Sequence, residues 1–350
     1  MTRVGLLVAA VGVGLAMVGF LVGCCVFSAP RHRGPTSGYF DGDRFRNQRP
    51  MPEQGSFLKW QWTRRPGPWA PVDAAPGPAP PRRVDAGRMR VTYVNHATVL
   101  VQLDGVNVLT DPIWSDRCSP VSWAGPHRVR PPGIRFEDLP PIDVVLVSHN
   151  HYDHLDLATL ARLADRYKPR IFLGLGNSAL LERERIAGGQ DLDWGASAQA
   201  GPLRVSAVPV QHFSGRGLCD RNRTLWTGFV VEGPSGRWYF PGDTGFGPHF
   251  AEAASRFGGF RLALLPIGAF QPRWFMSSVH TSPDEAVRAH AALRASTSVA
   301  IHFGTFRLGD DGQDEAPRRL AEVLEASPPP RPRFWILGFG EGRDVPPVPE

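Results

Sequence analysis

From Met89 onward the chain alternates apolar and polar residues, or runs in β-branched ones, in short blocks divided by turn residues. "MRVTYVNHATVLVQLDGVNVLTDPI" reads as consecutive strands, with Asp104-Gly105 as a two-residue hairpin turn, because that pair tolerates the left-handed backbone such turns need. "IDVVLV" is a short continuous apolar run, the mark of a strand buried on both faces. A helix follows from about Leu155 to Tyr167, then a strand at "RIFLG" and a helix near 178–186. Strands at "LRVSAVPV", "TGFVVEG" and "GRWYFPG" come next. The last third places helices over 249–257, 283–295 and 314–326 between strands "RLALLPI", "TSVAIHF" and "RFWILGF". Early strands followed by repeated helix–strand units predict an α/β domain of two sheets with helices outside.

Before Met89 the pattern differs. Residues 25–84 hold eleven prolines; proline cannot donate to a helix or sheet ladder, so 25–88 reads as an extended arm. Phe57, Trp60, Trp62 and Trp69 imply that part of it lies against the body. The first 24 residues carry one early arginine and then an uncharged apolar run, the pattern of a secretory signal, long enough to span a membrane if uncleaved. Leu21-Val22-Gly23-Cys24 resembles a bacterial lipobox, in which the cysteine receives acyl chains, and several chains anchor stably. Either route puts the body beside the membrane of a bacterial cell envelope, outside the cytoplasm. The expected boundaries are 1–24 for signal or anchor, 25–88 for the arm, 89–342 for the catalytic domain and 343–350 for a tail.

Charge sharpens this picture. Residues 1–90 carry 13 Lys and Arg against 5 Asp and Glu, whereas the remaining 260 carry 26 against 28. The basic excess belongs to the arm, which argues against a nucleic-acid-binding catalytic domain and suits anionic headgroups at a membrane surface, or simply solubility. Cys118 and Cys219 are the cysteines of the body; they could pair in an oxidising compartment or stay as two buried thiols.

Four apolar strands deliver metal-capable groups where they leave the core. "VVLVSHNHYDH" ends in His149, His151, Asp153 and His154; "VSAVPVQH" ends in His212, "WYFPGD" in Asp243 and "TSVAIH" in His302. Sites in α/β sheets form beyond strand ends. These seven groups suffice for two metals, and imidazole with carboxylate suits zinc, with manganese or iron as alternatives. Burying so many ionisable groups without a cation would cost more than a domain can spare. Asp156 starts the following helix, where a carboxylate favours the dipole. His32, His127, His249 and His290 read as structural or surface residues.

"SHNHYDH" matches the His-x-His-x-Asp-His motif of the metallo-β-lactamase superfamily, and His212, Asp243 and His302 follow in that superfamily's order. "LTDPIWSDRCSP", "SHNHYDHLD", "PGDTGF" and "PIGAFQPRWFM", with His280 and "PDEAVRAH" beyond it, resemble the N-acyl-phosphatidylethanolamine phospholipase D group. The likeness runs from about Met89 to Gly338 and touches "FRNQRP" in the arm. It implies a four-layer αββα sandwich and a two-zinc site. His149, His151 and His212 would hold one ion, Asp153, His154 and His302 the other, and Asp243 would bridge. It also implies that His280 lies near the substrate phosphate, ahead of a helix capped by Ser282, Pro283 and Glu285. With Asp153 and Asp243, His280 forms the expected catalytic set. His96 reads as support for a ligand, although Asn95 stands where the group has glycine. Gln271 stands where mammalian members tend to carry an acid, which bears on pocket polarity.

"GLGNSA" at 174–179 follows a strand and fits G-x-G-x-x-A, but the polar stretch "GGQDLDWGA" after it is not the apolar strand ending in an acid that a dinucleotide unit needs. No G-x-S-x-G elbow occurs. The expected activity is attack by a metal-activated hydroxide on a phosphodiester. By resemblance this releases N-acylethanolamine and leaves phosphatidic acid, with Phe270, Trp274, Phe275 and Met276 as candidates to line an acyl channel. The alternatives are another hydrolase on this fold, acting on a lactone or a soluble phosphodiester, and a non-catalytic envelope lipoprotein.

Overall fold

The computed structural model describes residues 3–50 and 55–348, with backbone alone for residues 3–10, Cys24 and Cys25. Two helices precede the body, α1 (Arg3–Cys25) and α2 (Phe57–Thr63). Ser56 starts α2 by accepting from the Lys59 backbone N–H, so the arm is not extended throughout. Cys24, the cysteine of the expected lipobox, has its side chain outside the described residues. Among the described residues no helix is long and apolar enough to cross a membrane.

The first sheet contains β1 (Met89–Asn95), β2 (Thr98–Leu103), β3 (Val106–Thr110), β4 (Val144–Val147), β5 (Arg170–Gly174) and β6 (Gly189–Leu192). The second contains β7 (Ser197–Ala200), β8 (Leu203–Val208), β9 (Gly228–Gly233), β10 (Gly236–Phe240), β11 (Leu262–Pro266), β12 (Ser298–Ile301) and β13 (Phe334–Trp335). β14 (Gly342–Asp344) then returns to the first sheet beside β1, so the domain's last strand runs past residue 342. Strand order is β14-β1-β2-β3-β4-β5-β6 in one sheet and β13-β12-β11-β10-β9-β8-β7 in the other. The early strands pair antiparallel through hairpins, and the strands joined by helices pair parallel, as crossover connections require. Asp104 and Gly105 take the left-handed backbone of the expected hairpin turn, at φ 50° and 77°.

Alternation decides which face each residue serves. On β4, Val144 and Leu146 enter the core between the sheets, while Val145 and Val147 pack outward beneath α3 (Leu157–Tyr167) and α4 (Ser178–Arg183). α3 contributes Leu160 and Leu163, both buried, and each such side chain is worth about 1.5–3 kcal/mol of burial. Over the second sheet α5 (His249–Phe257) buries Phe250, Ala253 and Ala254. A short α6 (Arg273–Met276) precedes α7 (Pro283–Ala292), and α8 (Glu315–Ala326) closes that face with Ala316 and Leu320. The expected capping box starts α7: Ser282 Oγ accepts from Glu285 N, and Glu285 accepts from Ser282 N. The result is the αββα sandwich.

β6 and β7 are strands that the polar "GGQDLDWGA" stretch does not announce. Asp191, on β6, accepts from the backbone N–H groups of Gly176 and Ser178. The donors that a phosphate would need in the "GLGNSA" turn are thus engaged by the protein's own carboxylate. Asp193 instead accepts from the Tyr39 hydroxyl of the arm.

Cys118 is free and buried, whereas Cys219 is disulfide-bonded. The two therefore do not pair, and the expectation of two thiols holds for Cys118 alone.

Candidate active site

The seven expected ligands meet at one end of the sandwich. His149 and His151 leave β4 directly, Asp153 and His154 follow in the next turn, and His302 comes one residue after β12. Asp243 follows β10 through Pro241-Gly242. Gly242 has φ 63°, and a Cβ there would run into Ser148, so only glycine lets this loop approach the end of β4 closely. His96 and His302 both sit in the left-handed region, at φ 46° and 62°, where strain persists only when surroundings over-determine it. His302 N donates to the His96 carbonyl, which locks the two turns together.

Hydrogen bonds to the far nitrogens fix the ring orientations. Ser148 Oγ donates to Asp111 Oδ2, so it accepts from His149 Nδ1. His154 Nδ1 donates to Asp111 Oδ2 at 2.6 Å, and His212 Nδ1 donates to the Val279 carbonyl at 3.0 Å. When neutral, each of these rings keeps an Nε2 lone pair for the centre. There, His149 Nε2 lies 2.8 Å from His151 Nδ1, and His212 Nε2 lies 3.4 Å from that same atom. His154 Nε2 is 3.2 Å from Asp153 Oδ2 and 3.1 Å from Asp243 Oδ2; His302 Nε2 is 3.1 Å from Asp243 Oδ1. Asp243 Oδ2 also lies 3.9 Å from His212 Nε2, so its carboxylate spans both groups.

These residues fit divalent ions. His154 Nε2, both nitrogens of His302 and Asp243 Oδ1 are buried without a hydrogen-bond partner, and a cation on Nε2 of both rings and on the carboxylate would offset that cost. Among the described residues four overlapping sets have their ligand atoms within 4.8 Å of one another: His149, His151 and His212; His96, Asp153, His154 and His302; Asp111, His149 and His154; and Asp243, His280 and His302. Burial, chiefly, drives His149 and His212 well below the usual imidazole range and His151 down to about 4, which keeps their lone pairs available. Burial alone would raise Asp153 and Asp243, but His154 beside them holds both carboxyls well below the usual range. Burial would lower His154 and His302 as well, but Asp243 beside them raises His154 well above the usual imidazole range and His302 to about 9, so ligation, which needs neutral imidazole, would release protons from these two.

His280 faces the same centre, its Nδ1 3.7 Å from Asp243 Oδ2. Burial lowers it to about 4. His96 Nε2 bonds Asp153 Oδ2 at 2.9 Å, so it holds a ligand as expected despite Asn95 in the glycine position. His249 bonds Thr244 and His290 bonds Ser298, while His32 packs on Phe40 and Phe45 and His127 bonds its neighbour's carbonyl. All four stand outside the cluster.

Above the ligands lies a cavity of about 490 Å³. Its floor is His151, Asp153, His212, Asp243 and His280, and its walls are Phe57, Trp60, Phe275, Met276, Val279 and Leu308. Arg221 stands at its edge over the Phe213 ring. Two expectations change here. Phe270 joins the main core and Trp274 faces an outer groove with Gln271, so neither lines this cavity; of the four candidates only Phe275 and Met276 do. Gln271 consequently does not set the cavity's polarity.

Residues 106–303 match the family model of the beta-lactamase superfamily domain. The chain belongs to the metallo-β-lactamase superfamily. It is 44% identical over 248 residues to N-acyl-phosphatidylethanolamine-hydrolyzing phospholipase D 1 of Caenorhabditis elegans, covering 67% of this chain and 69% of that protein. The mitochondrial N-acyl-phosphatidylethanolamine-hydrolyzing phospholipase D of Saccharomyces cerevisiae is 31% identical over 241 residues, and the chain spans about half of its length, 51%. The metallo hydrolase Igni18 of Ignicoccus hospitalis superposes with a TM-score of 0.55 at 22% identity, over 73% of this chain and 98% of that one; that likeness concerns the fold. The chain is thus a metallo-hydrolase of this superfamily with a candidate metal site of histidines and aspartates.

Four contributors escape motif reading. Asp111 orients His154 and Ser148 from the end of β3; the strand-end rule that found Asp243 would have found it too. Asp156 gathers Trp114 N, Ser115 and Thr159 rather than capping α3 through its side chain. Phe57 and Trp60 come from the arm, and nothing in their local sequence points to the site.

Proposed function

We propose that this metallo-hydrolase is a two-zinc phosphodiesterase of the envelope membrane. It cleaves N-acyl-phosphatidylethanolamine-type phospholipids to N-acylethanolamine and phosphatidic acid. The observation that carries the reading is the union of a polar floor of histidines and aspartates, able to hold cations, with an apolar wall in one cavity. A phosphodiester flanked by acyl chains needs both. The names of the nematode and yeast relatives support the same substrate, and the nitrogen and oxygen donors suit zinc, with manganese or iron as alternatives.

His149, His151 and His212 would hold one ion and Asp153, His154 and His302 the other, with Asp243 between them. Bound there, such ions supply Lewis-acid polarisation of a phosphoryl oxygen and a more acidic water. The chain's own residues do the rest. Asp111 and Val279 fix the rings, and His96 keeps Asp153 turned inward. His280, neutral near pH 7, has an N–H to offer a phosphoryl oxygen above Asp243. Phe57, Trp60, Phe275 and Met276 exclude water from the acyl side.

Membrane association draws support from exposed apolar groups. Val13, Leu15 and Phe20 of α1 and Leu58 and Trp62 of α2 face solvent, Trp62 at 92% exposure, with Lys59, Arg64 and Arg65 close by. Tryptophan beside basic residues suits a headgroup layer. The disulfide at Cys219 fits an oxidising compartment.

The test is a substrate panel with zinc-loaded protein: N-acyl-phosphatidylethanolamine vesicles, a soluble bis-ester of phosphate and a set of lactones. The proposal expects turnover of the vesicles well above the others. Preference for the lactones or the soluble diester, or no turnover at all, would refute it.

A further inference from the structure

His151 and His212 each lie four residues beyond the end of a strand, β4 ending at Val147 and β8 at Val208. His212 differs in what holds its backbone: one side chain of the arm binds both its N–H and its carbonyl.

Asn47 lies in the "FRNQRP" segment, outside the residues that match the family model. Its Nδ2 donates to the His212 carbonyl at 2.8 Å, and its Oδ1 accepts from the His212 N–H at 3.1 Å. Oδ1 also accepts from the Trp226 indole at 3.2 Å, and that indole donates to the Val210 carbonyl at 3.1 Å. One carboxamide therefore captures both main-chain groups of a single residue. A carboxamide is the short side chain that offers a donor and an acceptor in one plane. The Val279 carbonyl grips the ring of His212 from the other side. Between the two grips, Nε2 has one direction left, toward His151 and Asp243.

The arm around Asn47 is itself docked. Phe40 and Phe45 are buried with Trp194, Val210, Leu225 and Trp226, and Phe45 N donates to the Asn222 carbonyl at 2.7 Å.

We propose that Asn47 is a positioning residue for His212, so that the arm takes part in holding the metal of the His149–His151–His212 set. This rests on the reading of His212 as a ligand. Asn47→Asp keeps the shape but sets a second acceptor against the His212 carbonyl. Phe45→Leu loosens the arm while leaving the clamp groups in place.

The experiment titrates Zn²⁺ into metal-free full-length protein against a chromophoric chelator, and records the visible bands of the Co²⁺-loaded form. Melting of the metal-free proteins is followed alongside. Wild type should take up two ions. In Asn47→Asp one ion should weaken by about 10-fold, the loss typical of a group that orients a ligand, with changed Co²⁺ bands and the other ion unaffected. Phe45→Leu should lower the melting temperature more than Asn47→Asp does, yet leave both affinities and the bands as in wild type. Unchanged affinities in Asn47→Asp, or an equal loss in Phe45→Leu, would overturn the proposal while the two-metal reading stands. A wild type that binds fewer than two ions would remove that reading, and the proposal with it.

Discussion

At the scale of single residues, Asp243 carries more of the site than any other group. Its two oxygens lie within 3.1 Å of ligand nitrogens from opposite sides, Oδ1 toward His302 and Oδ2 toward His154, and its side chain is almost wholly buried. Asp243→Asn keeps the volume but removes the charge that both groups share. The loss in kcat should reach at least the roughly 10²–10³-fold that removal of one preorganised electrostatic group costs, measured by product release at saturating substrate. Activity close to wild type would mean that the carboxylate is not part of the reacting centre. Residues of this kind were legible in the sequence, because a polar group at the end of an apolar strand has few reasons to be there. His149, His212, Asp243 and His302 share that signature. Asp111, directly after β3, shares it too, but it is followed by Pro112 and reads equally as a turn.

At the scale of elements, the strands and most helices follow from period and punctuation. The departures have physical causes. β6 and β7 are short edge strands with exposed polar positions, so they lack the apolar alternation that marks a half-buried strand. β14 has three residues and is fixed by pairing with β1 rather than by its own composition. The arm is the larger departure. Proline content argues for an extended chain, yet α2 forms and puts Trp60 against Phe275, with ring centroids 4.8 Å apart and planes nearly parallel. That contact is non-local, and no spacing in the arm could announce it. It carries a prediction about chain length. Trp60→Ala removes an apolar wall, so catalytic efficiency should fall more for long acyl chains than for short ones. Each methylene that loses its burial is worth about 0.8 kcal/mol. A plot of log kcat/KM against chain length should lose slope; a parallel shift would show that Trp60 only supports the fold.

At the scale of the whole molecule, α1, the arm and the site converge on one loop. The Leu218 N–H donates to the Gly23 carbonyl at the end of α1, and Asp220 accepts from Ala29 N at 2.8 Å. The same loop runs from His212 through Phe213, whose ring Arg221 covers at the cavity edge. A chain held at a bilayer by α1 would thus present this loop, and the cavity beside it, near the membrane surface. On the proposed function, water attacks the phosphorus of a membrane phosphodiester in that cavity. Hydrolysis of N-acyl-phosphatidylethanolamine vesicles in ¹⁸O-water, followed by mass spectrometry of the products, tests it directly. Phosphatidic acid should carry one ¹⁸O atom and the N-acylethanolamine none. Label in a released fatty acid or in the N-acylethanolamine, or the absence of products, would contradict it.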